Sequence, residues 1–288
     1  MKNHQILLAV AKKYLEANQE FPWLQKKLDA LRGDFKDRSF YLAFSACSRF
    51  IGKDIISFDE SDLSNMEEIY PNFSARPWTK DEIGRILLMT ALPTNRNQQL
   101  LDTLFGTADY RELIALYKGL FLLENAEAFM LRGREGLRTN MVGVFDAIAL
   151  HNPFPAEYLT EDAWNHMVLK AVFMDRPIYK IYKIEERKNP KLALIFLDYA
   201  HERWAAHRKV TPELWRFVSG YVDNNFIKDI QKTIQGTDQL ESQAALKALV
   251  ESDYPEGNKW LADHNISTDN LPEWDEIGQR LESETTLQ

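Results

Sequence analysis

The apolar positions of this chain fall mostly three and four residues apart. Over 3–18 they are Ile6, Leu7, Val10, Ala11, Tyr14 and Leu15, a single stripe along one helix. Over 22–32 they are Trp23, Leu24, Leu28 and Leu31, ending at Gly33, and over 37–51 they are Phe40, Leu42, Ala43, Cys47 and Phe50. Residues 53–77 lose this order: the stretch is acidic, Pro71 and Pro77 interrupt it, and it predicts a connection with one short helix over 61–69. Thr79 then opens a helix, with Glu82 in the capping-box position, where each side chain serves the other residue's free amide. Ile83, Ile86, Leu87 and Ala91 continue it, and Pro93 stops it.

Further helices are predicted over 95–105, 107–122, 125–149 with a break near Gly133, 160–174, 190–207, 212–219, 222–234, 238–252 and 272–284. Asn189-Pro190 supplies an N-cap followed by proline at the first helical position, and Thr211-Pro212-Glu213 repeats the device. The alternation IYKIYKI after Pro177 fits a short strand in isolation, but with no partner strand visible a turn and short helix are preferred. The pattern defines an all-α chain, either antiparallel helix pairs stacked as an α-solenoid-like array or an irregular multi-helix bundle. The acidic stretch divides an N-terminal helical subdomain, 1–75, from a larger domain, 76–288; one continuous domain over 1–288 is the alternative.

Composition narrows the function classes. The 288 residues are 45% hydrophobic, enough for a substantial core, and seven are Trp. Only 12 are Gly, which disfavours nucleotide sites built on glycine-rich turns. The net charge of −8 disfavours nucleic acid, whose binding needs many cation–phosphate contacts. Cys47 is the single cysteine, so no internal disulfide forms; it lies in an apolar run and reads as a buried, inert thiol. The apolar run Ile6–Ala11 is too short for a secretory core and no stretch reaches membrane-spanning length. The expectation is a cytoplasmic protein without membrane insertion.

Candidate chemistry sits in three places. The first is the corner HNPFPAEYL, 151–159. A residue before proline is pushed out of the α region, so 152–155 is predicted extended, ending the preceding helix. A purely structural role accounts for both prolines; the functional alternative is that His151, Asn152 and Glu157 present polar groups at a rigid corner. The second is the helix opened by Thr160, where Asn165 borders the apolar stripe and His166 and Lys170 share another face. A hydrogen bond to nearby backbone is the bland reading of Asn165. The third is LDYAHERWAAHR, 197–208, which lines up Asp198, His201, Glu202, Ala205 and Arg208. His201 with Asp198 or Glu202 admits metal, acid–base or structural roles, although the spacing lacks the paired His of zinc-protease helices. Arg138 lies beside Met141 and Val142 on an apolar side and calls for a carboxylate, with Glu157, Glu202 and Asp198 as candidates.

The candidate ligand pocket is therefore Arg138, His151, Asn152, Glu157, Asn165, Lys170, His201, Glu202 and Arg208. No metal and no cofactor is assigned to it. The predicted core is Phe145, Ile148, Trp164, Val168, Val172, Phe196, Ala200 and Trp204.

The segments 138–173 and 189–216, and more weakly 101–123, resemble the EboA-domain family of bacterial proteins. The resemblance is carried by Asn152–Pro155, Trp164–Ala171 and Tyr199–Trp204, and it covers roughly 80–216. His166 stands where the family pattern has Gln. The resemblance implies an operon, linked to secondary metabolites, that also encodes a UbiA-like membrane prenyltransferase, sugar-phosphate-type enzymes and metal-dependent TIM-barrel-like proteins. It leads to the expectation of a non-enzymatic helical scaffold or metabolite-binding protein, partnered by a small molecule or by operon-encoded enzymes. The alternative is a hydrolase or lyase using His201 or His151 with Glu202 and Arg138.

Overall fold

Helix follows the apolar periodicity along nearly the whole chain. The computed structural model describes residues 2–16, 19–33 and 35–286; the predicted end of the first helix, at 17–18, lies outside them. The first ten helices are α1 (Lys2–Leu15), α2 (Glu20–Arg32), α3 (Asp37–Phe50), α4 (Glu60–Glu67), α5 (Lys80–Thr90), α6 (Thr94–Phe105), α7 (Tyr110–Gly119), α8 (Met130–Arg138), α9 (Val142–Ala149) and α10 (Pro153–Tyr158). They are followed by α11 (Glu161–Phe173), α12 (Pro190–Ala205), α13 (Leu214–Val218), α14 (Ile227–Ile234), α15 (Gln239–Ser252), α16 (Pro255–Asp263) and α17 (Trp274–Thr286). Among the described residues the fold is all-α, with a single isolated bridge between Ile55 and Thr79. The IYKIYKI stretch forms a short 3-10 helix, Ile178–Lys180. Helix α16 has no counterpart in the predicted set.

Contacts divide the chain into two compact units, 1–164 and 165–288, with the division inside α11. In the first unit α1 packs on α2, α2 on α3, and both α1 and α3 on α5, so the segment before residue 75 shares its core with α5. Helix α7 covers another side of α5, and α9 packs on α7. All nine residues from Asp81 to Met89 are buried, as expected of a helix enclosed on every side. Gly84 lets α3 approach: a Cβ there would lie 2.5 Å from Ile51 Cδ1. The aromatic centre beside α5 is Trp78, stacked on Phe73 at 4.5 Å, met edge-on by Tyr70 at 5.3 Å, with its ring N–H donating to the Phe73 carbonyl at 2.8 Å.

Charge as well as apolar surface fixes α5 against α7. Asp81 is fully buried and accepts from Arg85 at 2.5 Å and from Arg111 of α7 at 2.8 Å. Lys118 of α7 donates to Glu82 at 2.8 Å and to the Pro77 carbonyl at 3.1 Å. Glu82 also accepts from the Thr79 amide at 2.9 Å, completing the predicted capping box. Single buried charges are strongly disfavoured without partners, so these pairs lock the register of the two helices.

In the second unit α15 is the hub, touched by α13, α14, α16 and α17. Ala244, Ala245 and Ala248 keep its surface small where the neighbours approach. Phe196 of α12 stacks on Phe217 of α13 at 4.6 Å. The Asn189 side chain caps α12 by accepting from the Leu192 amide at 2.9 Å, with Pro190 at the first position, as predicted.

Seven of the eight predicted core residues are buried; Trp204 is not. It occupies the last turn of α12, half-buried, with Lys232 over its ring at 5.0 Å and Trp215 at 6.4 Å. The corner also differs from expectation. Residues 153–158 are helical, with Asn152 as N-cap and Pro153 at the first position. Both prolines lie in the first turn, where a missing N–H breaks no helical bond, and this outweighs the restriction on the preceding residue. The predicted break near Gly133 falls at Thr139–Met141 instead, between α8 and α9.

Candidate functional site

The site begins with a histidine in the first turn of α1. His4 Nδ1 lies 2.9 Å from the Thr90 hydroxyl at the end of α5, and Nε2 lies 2.9 Å from the Arg32 guanidinium at the end of α2. The Thr90 hydroxyl donates to the Leu87 carbonyl at 3.1 Å. Its oxygen is therefore left to accept, which places the ring hydrogen on Nδ1 and leaves the Nε2 lone pair for Arg32. Burial of the ring and the neighbouring guanidinium hold the His4 pKa down to about 4, so the imidazole is neutral at pH 7. The chain Arg32, His4, Thr90, Leu87 thus fixes a charged side chain through an uncharged one.

This chain forms one wall of a cavity of about 450 Å³, the size of a small-molecule pocket. Its apolar lining residues are Leu8, half-buried, and Met89, Leu92, Leu122 and Leu123, all buried. The start of α6 also lines the cavity, and there Thr94 donates to Glu124 at 3.2 Å. Beneath it Asn97 and Asn125 exchange amide hydrogen bonds at 2.7 and 3.1 Å. Asn3 donates to the Leu122 carbonyl at 3.3 Å, tying α1 to that floor. Every lining residue belongs to the first unit, between Asn3 and Glu124.

The residues singled out from the sequence lie elsewhere and fall in different units. Arg138, His151, Asn152 and Glu157 are in the first; Asn165, Lys170, His201, Glu202 and Arg208 are in the second. Asn152 is buried, donates to the Tyr117 and Ala147 carbonyls at 3.1 and 2.8 Å, and accepts from the Phe154 amide at 2.9 Å. Those three bonds use both of its amide hydrogens and join α7, α9 and α10. His151 beside it is half-buried in the left-handed region, at φ 49°. Glu157 is exposed. Arg138, expected on the apolar side, is exposed together with Met141 and Val142, and none of its three expected carboxylates pairs with it among the described residues.

In the second unit Asn165 and Asn189 exchange amide bonds at 3.1 and 2.9 Å, so Asn165 orients the cap of α12 rather than bonding to backbone. Lys170 is half-buried, and burial lowers its pKa. His201 does not pair with Asp198; its Nε2 lies 2.7 Å from Asp229 of α14 on an exposed surface. Glu202 and Arg208 are exposed. Among the described residues no group of three or more His, Cys, Asp or Glu side chains is placed to hold a metal ion. Cys47 is buried, and burial pushes its thiol up to about 12, well away from a thiolate nucleophile.

The cavity itself was missed by sequence reasoning. Its walls come from four separated segments, and neither a histidine three residues into a helix nor an arginine at a helix end marks a pocket.

Fold and cavity together define a class: an all-helical protein with a preformed small-molecule-sized pocket, and no helix among its described residues long and apolar enough to cross a membrane. The chain belongs to the EboA family, whose model, described as metabolite traffic protein EboA, matches residues 4–219. The match begins at residue 4 rather than near 80, so α1 to α4 belong to the family as well, and the cavity from His4 to Glu124 lies within it. No curated protein matches the chain, and no solved structure does.

Proposed function

We propose that this chain is a non-enzymatic metabolite-binding protein and that the cavity between α1, α5 and α6 is where the small molecule sits. The observation that carries the reading is a pocket of about 450 Å³, lined by both apolar and polar groups, inside the part of the chain matched by a metabolite traffic family. Its polar groups are already oriented by hydrogen bonds, so little ordering is required on binding. A traffic role fits this better than chemistry does: the histidine is locked between two partners and neutral. In this reading the protein holds a secondary metabolite, isoprenoid-like as the resemblance implies, and passes it to enzymes encoded in the same operon.

Thermal unfolding of the full chain against a panel of small amphipathic metabolites tests the proposal. A true ligand at a hundredfold excess over its Kd raises Tm by several degrees. The Leu8→Trp variant, which fills the cavity, is expected to show no rise. No rise with any member, or an equal rise in the variant, refutes the reading.

A further inference from the structure

The charge pattern of the cavity carries a statement about its ligand. Among the described residues Arg32 is the charged cation of the lining, and it pairs with no carboxylate there. One of its N–H groups donates to His4. A guanidinium has five such donors in a planar fork, and the remaining ones match the two oxygens of a carboxylate or phosphate. The other charged group of the lining, Glu124, stands at the α6 wall and already accepts from Thr94. The apolar members of the lining are Leu8, Met89, Leu92, Leu122 and Leu123.

We infer that the cavity takes an amphipathic anion, with a carboxylate or phosphate head on Arg32 and an apolar body along the leucine-lined floor. The inference rests on the cavity being the metabolite site. His4 is the positioning residue: its Nε2 lone pair aims the guanidinium, and its neutrality avoids a second cation that would push Arg32 away. Burial of the His4 ring agrees with this, since it disfavours the imidazolium that would abolish the acceptor.

Calorimetry with three probes that share one tail decides the matter: octanoate, octyl phosphate and octanol, each below its aggregation concentration, at pH 7.5 and low salt. At least one anion is expected to bind the wild type about tenfold more tightly than octanol, as a charge-assisted bond would give. The stronger of the two anions then names the head group. Arg32→Gln is expected to bring the anions down to the affinity of octanol, Arg32→Lys to restore part of the difference, and Leu8→Trp to remove all binding. Arg32 is exposed at a helix end, so the fold should tolerate both replacements. If octanol binds the wild type as tightly as the anions, or Arg32→Gln keeps the preference, the head-group inference fails while the cavity reading stands. If no probe binds, or Leu8→Trp binds all three unchanged, the cavity reading fails and this inference with it.

Discussion

Lys118 shows how a single side chain can hold two helices in place. Burial, with Arg76 nearby, lowers its pKa to about 8, so it is still charged at pH 7 and faces Glu82 at 2.8 Å. Removing one member of such a pair strands the other in a dry site. Lys118→Met should therefore lower stability by about 3–5 kcal/mol in urea titration, and adding Glu82→Gln should recover a good part of the loss. A loss below about 1 kcal/mol would mean that Glu82 is solvated. Glu213 makes the opposite case, in which burial dominates. It accepts from the Ile178 and Tyr179 amides at 3.3 and 3.0 Å, yet burial pushes it up to about 7, against the pull of Arg216. Between pH 4.5 and 7 the folded state holds a proton that the unfolded state has lost, so stability falls as pH rises through that window and levels off above it. The fall should be about 3 kcal/mol in wild type, and Glu213→Gln should flatten it in chemical denaturation across pH. A wild-type curve without that slope would contradict the burial argument. Neither residue was legible beforehand: a lysine late in a helix and a glutamate early in one both read as ordinary dipole complements.

At the scale of elements, helix existence was readable because it is local. Apolar spacing and the caps at Thr79 and Asn189 are written in a few consecutive residues, and the helices formed where they pointed. Residue roles within elements depend on partners that are not local. Asn152, for which a structural corner and a presented polar group were both open, is the cap and cross-brace of three helices, and its partners, Tyr117 and Ala147, are distant in sequence or on another helix. Gly133 looked like a break and is instead a contact: it lies inside α8, and a Cβ there would meet the Phe154 ring at 2.5 Å. Phe154 is fully buried, so its ring has little room to yield. Gly133→Ala should thus cost about 1–3 kcal/mol despite the better helix propensity of alanine, and Phe154→Leu should recover part of that loss in the double variant. A more stable Gly133→Ala protein would mean that α8 and α10 are not in this register.

On the scale of the molecule, each unit is arranged round one central helix, α5 or α15, and the cavity belongs to the first arrangement. The ends of α2 and α5, the starts of α1 and α6 and the turn after α7 converge on it. The family match covers this region and stops at residue 219, leaving α14 to α17 outside. Polar side chains are legible in sequence by their chemistry; the cavity is made by convergence, which no one segment encodes. The most direct test of the account is nitrogen NMR of the His4 ring during titration with octanoate. The account predicts an Nδ1–H imidazole in the free protein and a saturable shift of its signals that Leu8→Trp abolishes. A probe that binds while the His4 resonances stay unchanged would contradict it.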